Sequence, residues 1–230
     1  MKWVRDRTGR FERRPYYHQQ EIDVQCEEVL ASYWRDRGKS PAFPMSTDDL
    51  TVLIEHEASE LDLYANLASE GRDVEGVTEF FPRKKPVVRI AKYLSDQPSR
   101  ENRLRSTLAH ELGLVVFHNF LWTLDTGQVP RKSMRRATLK CRRAKILAAP
   151  QTDWMEWQAG YASGALLMPI TPMRELVAGA FSEWGVAKRV EFASDRHFDL
   201  IDRVAAMFTV SRDAAGVRLL KLGYTESQTT

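Results

Sequence analysis

Cysteine is the first residue that this chain nearly lacks. Only Cys26 and Cys141 occur among its 230 residues, and they are far apart. A disulfide framework or a Cys-x-x-Cys zinc site needs closely spaced pairs, so neither is predicted and both thiols should be ordinary and reduced. The chain also has no apolar run long enough to cross a bilayer, and no apolar leader follows its charged amino terminus. We therefore expect a cytoplasmic protein with no membrane partner.

An excess of charge of one sign is also missing from the chain as a whole. The formal net charge is +3, although 28% of the residues are charged. This balance permits a contact with nucleic acid without requiring one. A hydrophobic content of 43% over this length predicts one sizeable core with small additions, which folds without disulfides or structural metals.

Helical spacing marks the first part of the chain. It predicts an amphipathic helix within a helical N-terminal extension, residues 1–40, with apolar positions Ile22, Cys26, Val29, Leu30 and Tyr33. The prolines at positions 41 and 44 end this extension. A second helix is predicted through Ile54, with Ser46 or Thr47 as its N-cap.

The next part reads first as strands and then as a long helix. Short strands are predicted at Leu61–Tyr64, Gly76–Phe81 and Pro86–Ile90, with a basic turn between the last two. After residue 100 the apolar pattern changes to helical spacing, which predicts a helix from about Glu101 to His118.

This long helix carries the first half of a zinc-peptidase motif. In His-Glu-x-x-His, two histidines four residues apart face one Zn²⁺, and the glutamate activates the bound water. Here His110 and Glu111 are present, but Leu114 stands at the position of the second histidine. His118 cannot replace it, because eight helical residues separate it from His110 by about 12 Å. We expect His118 to be a helix-end residue satisfied by backbone or water.

A second motif lies downstream, where Glu156 opens a run of small residues that ends in Leu-Leu-Met-Pro at positions 166–169. Together with Arg-Ser-Thr-Leu-Ala-His-Glu-Leu-Gly at positions 105–113, this motif resembles the ImmA/IrrE family of zinc metallopeptidases. The resemblance extends from about residue 43 to residue 224. The chain departs from the family at Leu114 and at Gly160, where the family has an asparagine after Glu-x-x-Ala.

The resemblance implies an α+β, zincin-like fold with a small mixed sheet, an active-site helix and helical additions at both ends. It assigns His110 and Glu156 as zinc ligands and Glu111 as the catalytic carboxylate. Because Leu114 removes one ligand, we expect zinc to bind weakly or not at all and any peptidase to be inactive or inactivated. The family's substrates imply a regulatory protein as partner, such as a helix-turn-helix repressor that controls stress-response, mobile-element or phage-defence genes.

A basic insert, residues 127–150, separates the two motifs. It has eight cationic residues and no acidic residue: Arg131, Lys132, Arg135, Arg136, Lys140, Arg142, Arg143 and Lys145. Such a run favours phosphate contact and makes nucleic acid a possible partner. The favoured alternative is a solvated basic loop, or a helix face docked on an acidic partner.

The remaining segments complete the predicted organisation: a peptidase-like domain over residues 41–170, a helical part over 171–224 and a tail over 225–230. Residues 204–219 can be read as a helix-turn-helix, which would favour DNA binding. Two packed closing helices fit better, because four alanines there suit close helix contacts and few bases are available. His197 is expected on the surface. The alternative function is therefore a non-enzymatic DNA- or protein-binding regulator on the same scaffold.

Overall fold

The computed structural model of the chain describes residues 1–123, 137–142 and 153–226. Its fold is α+β, as predicted. Two compact units can be separated: the first comprises residues 1–25 and 46–163, and the second comprises residues 26–45 and 164–230.

The first unit begins with a β-hairpin that the sequence did not predict. Strands β1 (Lys2–Arg5) and β2 (Arg13–Tyr16) pair antiparallel. Asp6 closes the connecting loop, because its carboxylate accepts hydrogen bonds from Thr8 and from the backbone N–H of Phe11. Helix α1 (Gln19–Asp36) follows, so the predicted helical extension is correct from residue 19 onward and wrong for the first 16 residues.

The sheet of the first unit has four strands in the order β3-β5-β4-β6. Helix α2 (Thr47–Glu57), capped by Ser46, the first of the two predicted candidates, leads into β3 (Glu60–Ala65). Strands β4 (Val74–Phe81) and β5 (Lys84–Ala91) form an antiparallel hairpin, β3 pairs parallel with β5, and β6 (Ala137–Arg142) pairs antiparallel with β4. Strand β4 therefore lies inside the sheet, and all of it except Phe81 is buried.

Helices cover this sheet. Helix α3 (Lys92–Ser95) and a 3₁₀ turn (Pro98–Arg100) lead into α4 (Glu101–His118), whose bounds agree with the prediction. Helix α4 packs on β4, and the short α5 (Phe120–Thr123) follows it. Helix α6 (Trp154–Leu167) approaches α4 closely at Gly113, where an added Cβ would lie 3.1 Å from both the Ala159 carbonyl oxygen and the Ala162 Cβ. This close crossing brings the two sequence motifs together.

The second unit contains α7 (Ile170–Trp184), α8 (Asp195–Phe208) and α9 (Arg212–Lys221). Helices α8 and α9 pack on each other, as the preferred prediction requires. On α9, the exposed Arg212 is ion-paired with Asp202, and the buried Arg218 donates to the Met168 carbonyl. His197 is buried rather than exposed, because its Nδ1 accepts from the Ala193 N–H at the start of α8. Within the described residues, no helix is long and apolar enough to span a membrane.

Candidate functional site

The crossing of α4 and α6 joins the two predicted metal ligands. His110 Nε2 and Glu156 Oε2 lie 3.3 Å apart, although 46 residues separate them in the chain. Both side chains are almost fully buried, at 0% and 3% exposure. Glu156 Oε2 accepts no hydrogen bond from the residues that the structure describes. The pair thus forms a buried polar contact in which one carboxylate oxygen is left without a donor.

Glu111 faces the sheet. Its carboxylate accepts a hydrogen bond from the Thr78 hydroxyl on β4, and the Cys141 thiol on the neighbouring strand β6 lies close to it. Glu111 Oε1 accepts no hydrogen bond from the described residues. Opposite Cys141 lies Gly76, where an added Cβ would come within 2.2 Å of Glu111 Oε1. Burial raises the pKa of Glu111 to about 7, against the lowering effect of His110, of the Thr78 hydrogen bond and of the Cys141 thiol. The predicted catalytic carboxylate is therefore fully enclosed, and its charged form is disfavoured by burial.

Leu114, one helical turn beyond His110, lies in an apolar cluster. The cluster also includes residues from the N-terminal hairpin, from the sheet and from α6: Phe11, Phe80, Leu121, Trp122, Leu139, Trp154, Met155 and Ala159. Phe80 and Trp122 stack with ring centroids 4.2 Å apart, and Phe11 packs edge-on against Trp122. The position of the missing ligand is thus occupied by close-packed side chains that no metal would coordinate.

His118 has a different environment from the one predicted. It is fully buried, and its Nε2 lies 2.9 Å from Oε1 of Gln158 on α6. The Gln158 amide nitrogen donates to the Pro15 carbonyl at 3.1 Å, so its oxygen must be the acceptor and His118 Nε2 carries the proton. Burial lowers the pKa of His118 to about 4. A side chain and not the helix end is the partner of Nε2, while Nδ1 has no hydrogen-bond partner among the described residues, and the histidine remains neutral at physiological pH.

His110 and Glu156 meet only part of what a zinc ion requires. Two ligands bound at about 2 Å in a tetrahedral site lie roughly 3 to 3.5 Å apart, and His110 and Glu156 meet this condition. A catalytic site needs a third protein ligand. Over residues 1–123, 137–142 and 153–226, no group of three or more His, Cys, Asp or Glu side chains is placed to hold a metal. The described residues thus do not complete a catalytic zinc site, and we derive no catalytic step through a metal.

Cys141 is the residue at this site that the sequence pattern did not single out. It is fully buried and reduced, and it lies opposite Gly76 in the β4–β6 pairing, on the face that Glu111 contacts. Burial, with the nearby Glu111 and Glu156, raises the pKa of its thiol well above the ordinary value, so it stays a neutral donor. The usable signal was the alternation at 138–142, where Leu139 and Cys141 are buried between polar residues.

The basic insert is described only at β6. Six of its candidate residues lie outside the described residues: Arg131, Lys132, Arg135, Arg136, Arg143 and Lys145. Lys140 and Arg142 stand on the edge strand and pair with acids of the β3–β4 loop, Lys140 with Glu70 at 2.9 Å and Arg142 with Asp73 at 2.6 Å. For these two residues, neither a solvated loop nor a helix face is correct.

No protein-family model matches this chain, and no curated protein matches it in sequence. The functional conclusions below therefore depend on the residues of the site and on their geometry.

Proposed function

We propose that this protein is a non-hydrolytic regulator built on a zincin-like, ImmA/IrrE-type scaffold, which binds a regulatory protein without cleaving it. The observation that carries the proposal is the 3.3 Å approach of His110 and Glu156 beside Leu114, which packs in an apolar cluster. The two motifs meet as they would in a peptidase, while the third ligand position belongs to the core.

The state of the reactive groups supports the absence of hydrolysis. A general base must reach a water molecule and the substrate. Glu111 is instead fully buried, and its carboxylate accepts a hydrogen bond from Thr78. This hydrogen bond joins α4 to the sheet, which is a structural role.

Partner binding would use the edge of the sheet. Strand β6 ends the strand order, and the described part of the chain supplies no strand on its outer side. An extended segment of a partner can add to such an edge through backbone hydrogen bonds. A helix-turn-helix repressor, the class of partner that the resemblance to the ImmA/IrrE family implies, is the first candidate to test.

Elemental mass spectrometry of zinc per chain tests the metal part of the proposal. We expect far less than one zinc per chain in the protein as it stands and close to one in Leu114→His, because the new imidazole would lie one turn from His110. Leu114→Asn is the matched control, since it disturbs the same apolar cluster without adding a good zinc ligand. If the unaltered protein binds one zinc per chain and Glu156→Gln does not, the result would contradict the proposal and favour a zinc peptidase.

Incubation with the candidate repressor tests the partner part. We expect co-elution in size-exclusion chromatography and an unchanged repressor mass, with Glu111→Gln behaving like the unaltered protein. Cleavage of the repressor that Glu111→Gln abolishes would contradict the proposal.

Nucleic-acid binding through the insert is the weaker alternative, because Lys140 and Arg142 already pair with acids of the same chain. Under this alternative, charge reversal at Arg135, Arg136, Arg142 and Arg143 abolishes nucleic-acid binding. Reversing Arg142 together with Asp73 restores the internal ion pair, and so separates a direct contact from a structural effect.

A further inference from the structure

A concave basic surface, distinct from the α4–α6 site, lies on the N-terminal hairpin. Its cavity has a volume of about 690 Å³, within the range of small-molecule sites. Four cations line it, Lys2, Arg5, Arg7 and Arg14, together with the aromatic rings of Tyr16 and Trp154. We call this the hairpin cavity. All of its lining belongs to the first unit.

The charge of the hairpin cavity is only partly neutralised by the described chain. No described carboxylate lies within ion-pair distance of its four cations, whereas Arg10 of the same hairpin pairs with Asp153. One acid, Asp6, lines the cavity and attracts Arg14 electrostatically, while its oxygens accept hydrogen bonds from its own loop. The cavity therefore presents a concentrated positive field that an anionic ligand would complete.

The cations are interleaved with aromatic rings. The Arg14 guanidinium carbon lies 5.5 Å from the ring centre of Trp154 and 6.0 Å from that of Tyr16, and Lys2 Nζ lies 5.0 Å from the Tyr16 ring. A planar ligand can stack on an exposed aromatic face or on a guanidinium plane. Burial in this setting lowers the pKa of Arg14, which indicates that its charge is incompletely solvated and that an anion there would be bound favourably.

We propose that the hairpin cavity binds a nucleotide, either free or as one unit of a single-stranded nucleic acid. Its phosphates would lie on Lys2, Arg5 and Arg7, since arginine matches phosphate oxygens through two parallel hydrogen bonds. Its base would stack beside Arg14 and Tyr16. This site is independent of the proposed function at α4 and α6, and either can fail without the other.

Two probes test the site in the full chain. One is ATP without added metal, measured by calorimetry; the other is a fluorescein-labelled oligothymidylate of about twelve nucleotides, measured by anisotropy. We expect saturable binding of at least one probe. Tighter binding of ATP assigns the free nucleotide, and tighter binding of the oligonucleotide assigns the single strand.

Variants locate the binding. Arg5→Gln combined with Arg7→Gln changes exposed residues and should weaken binding roughly tenfold or more, because each removes a charged interaction with phosphate. For the oligonucleotide, the dependence of log affinity on log salt should fall by roughly 0.7 for each phosphate that is no longer bound by a cation. Arg13→Gln is the matched control: it removes one charge from the same hairpin, but its side chain donates to the Trp3 carbonyl outside the cavity lining.

Three results would overturn the proposal. The first is no saturable binding of either probe. The second is a loss in Arg13→Gln as large as that in the double variant, which would mean unspecific attraction to the hairpin. The third is competition by inorganic tripolyphosphate as strong as by ATP, with Tyr16→Leu unchanged, which would exclude recognition of the base. Thermal unfolding of each variant shows whether it is folded.

Discussion

The two histidines of α4 are both fully buried, yet their surroundings differ. At one end, His118 donates to Gln158, and Gln158 donates to the Pro15 carbonyl, so a hydrogen-bonded chain closes within the protein. Toward the middle, His110 faces Glu156, whose Oε2 accepts no hydrogen bond from the described residues. Buried polar groups are normally satisfied. The comparison indicates that His118 Nε2 belongs to a hydrogen-bonded chain, although its Nδ1 has no described partner, whereas the Glu156 oxygen that faces His110 accepts no hydrogen bond from the described residues.

The largest effect on stability is expected at Gln158, which links His118 to the Pro15 carbonyl. Gln158→Leu leaves His118 Nε2 and the Pro15 carbonyl buried without partners, and each orphaned group costs about 1 to 3 kcal/mol. We expect the free energy of unfolding, from urea denaturation, to fall by about 4 kcal/mol. A loss of unfolding free energy below about 1 kcal/mol in Gln158→Leu would contradict the structural role of the hydrogen bonds around His118.

Glu111 and His118 should make opposite contributions to the pH dependence of stability. The Glu111 pKa rises from 4.5 to about 7 on folding, so it reduces stability as pH increases through this window. The His118 pKa falls from 6.5 to about 4, so it increases stability as pH rises through its own window. Each effect is worth roughly 3 kcal/mol, and they oppose each other where the windows overlap.

Glu111→Gln removes the contribution of Glu111 to the pH dependence and leaves that of His118. The variant should gain stability steeply between pH 4 and 6.5, where His118 titrates, and should exceed the unaltered protein above pH 7. Urea denaturation across this range is the measurement, and the exposed Glu55→Gln is the control. Parallel pH profiles for Glu111→Gln and the unaltered protein would contradict the burial effect assigned to Glu111.

A smaller effect is expected at Gly76. Alanine there would place a Cβ 2.2 Å from Glu111 Oε1, so the carboxylate must move away from Thr78, at a cost of about 2 kcal/mol. In a Glu111→Ala background the same substitution should cost much less, and a double-mutant cycle measures the coupling. Gly179→Ala, in α7 with nothing within 4 Å of an added Cβ, is the control and should stabilise by roughly 1 kcal/mol.

The smallest effect on stability is expected at Glu156. Glu156→Gln keeps the shape of the side chain and removes a charge that the described residues solvate poorly. We expect a change within about 1 kcal/mol, of either sign, in the same urea measurement. A loss comparable to that of Gln158→Leu would mean that the His110–Glu156 contact is as structural as the one at His118.

Local signals made part of this architecture predictable. Capping by Ser46, the β4–β5 hairpin and the bounds of α4 follow from residues close in sequence, and the structure agrees. The β1–β2 hairpin was missed because each strand has only four residues and β2 contains Pro15, which argues against a strand.

The site was predictable as far as residue identity on one helix allows. Helical spacing correctly excluded His118 as a partner of His110, but the partner that His118 finds, Gln158, comes from another helix. The contact of Cys141 with Glu111 depends on the pairing of β6 with β4, which is a long-range contact. His197 failed in the same way: its mixed-charge neighbours favoured the surface, while the packing of the second unit buries the ring.

The close contact at Gly76 has a consequence for how the sequence can change. The carboxylate of Glu111 fills the space that any larger residue at position 76 would need. In a descendant that lost Glu111, position 76 would be released from this restriction. The two positions should therefore diverge together among related sequences.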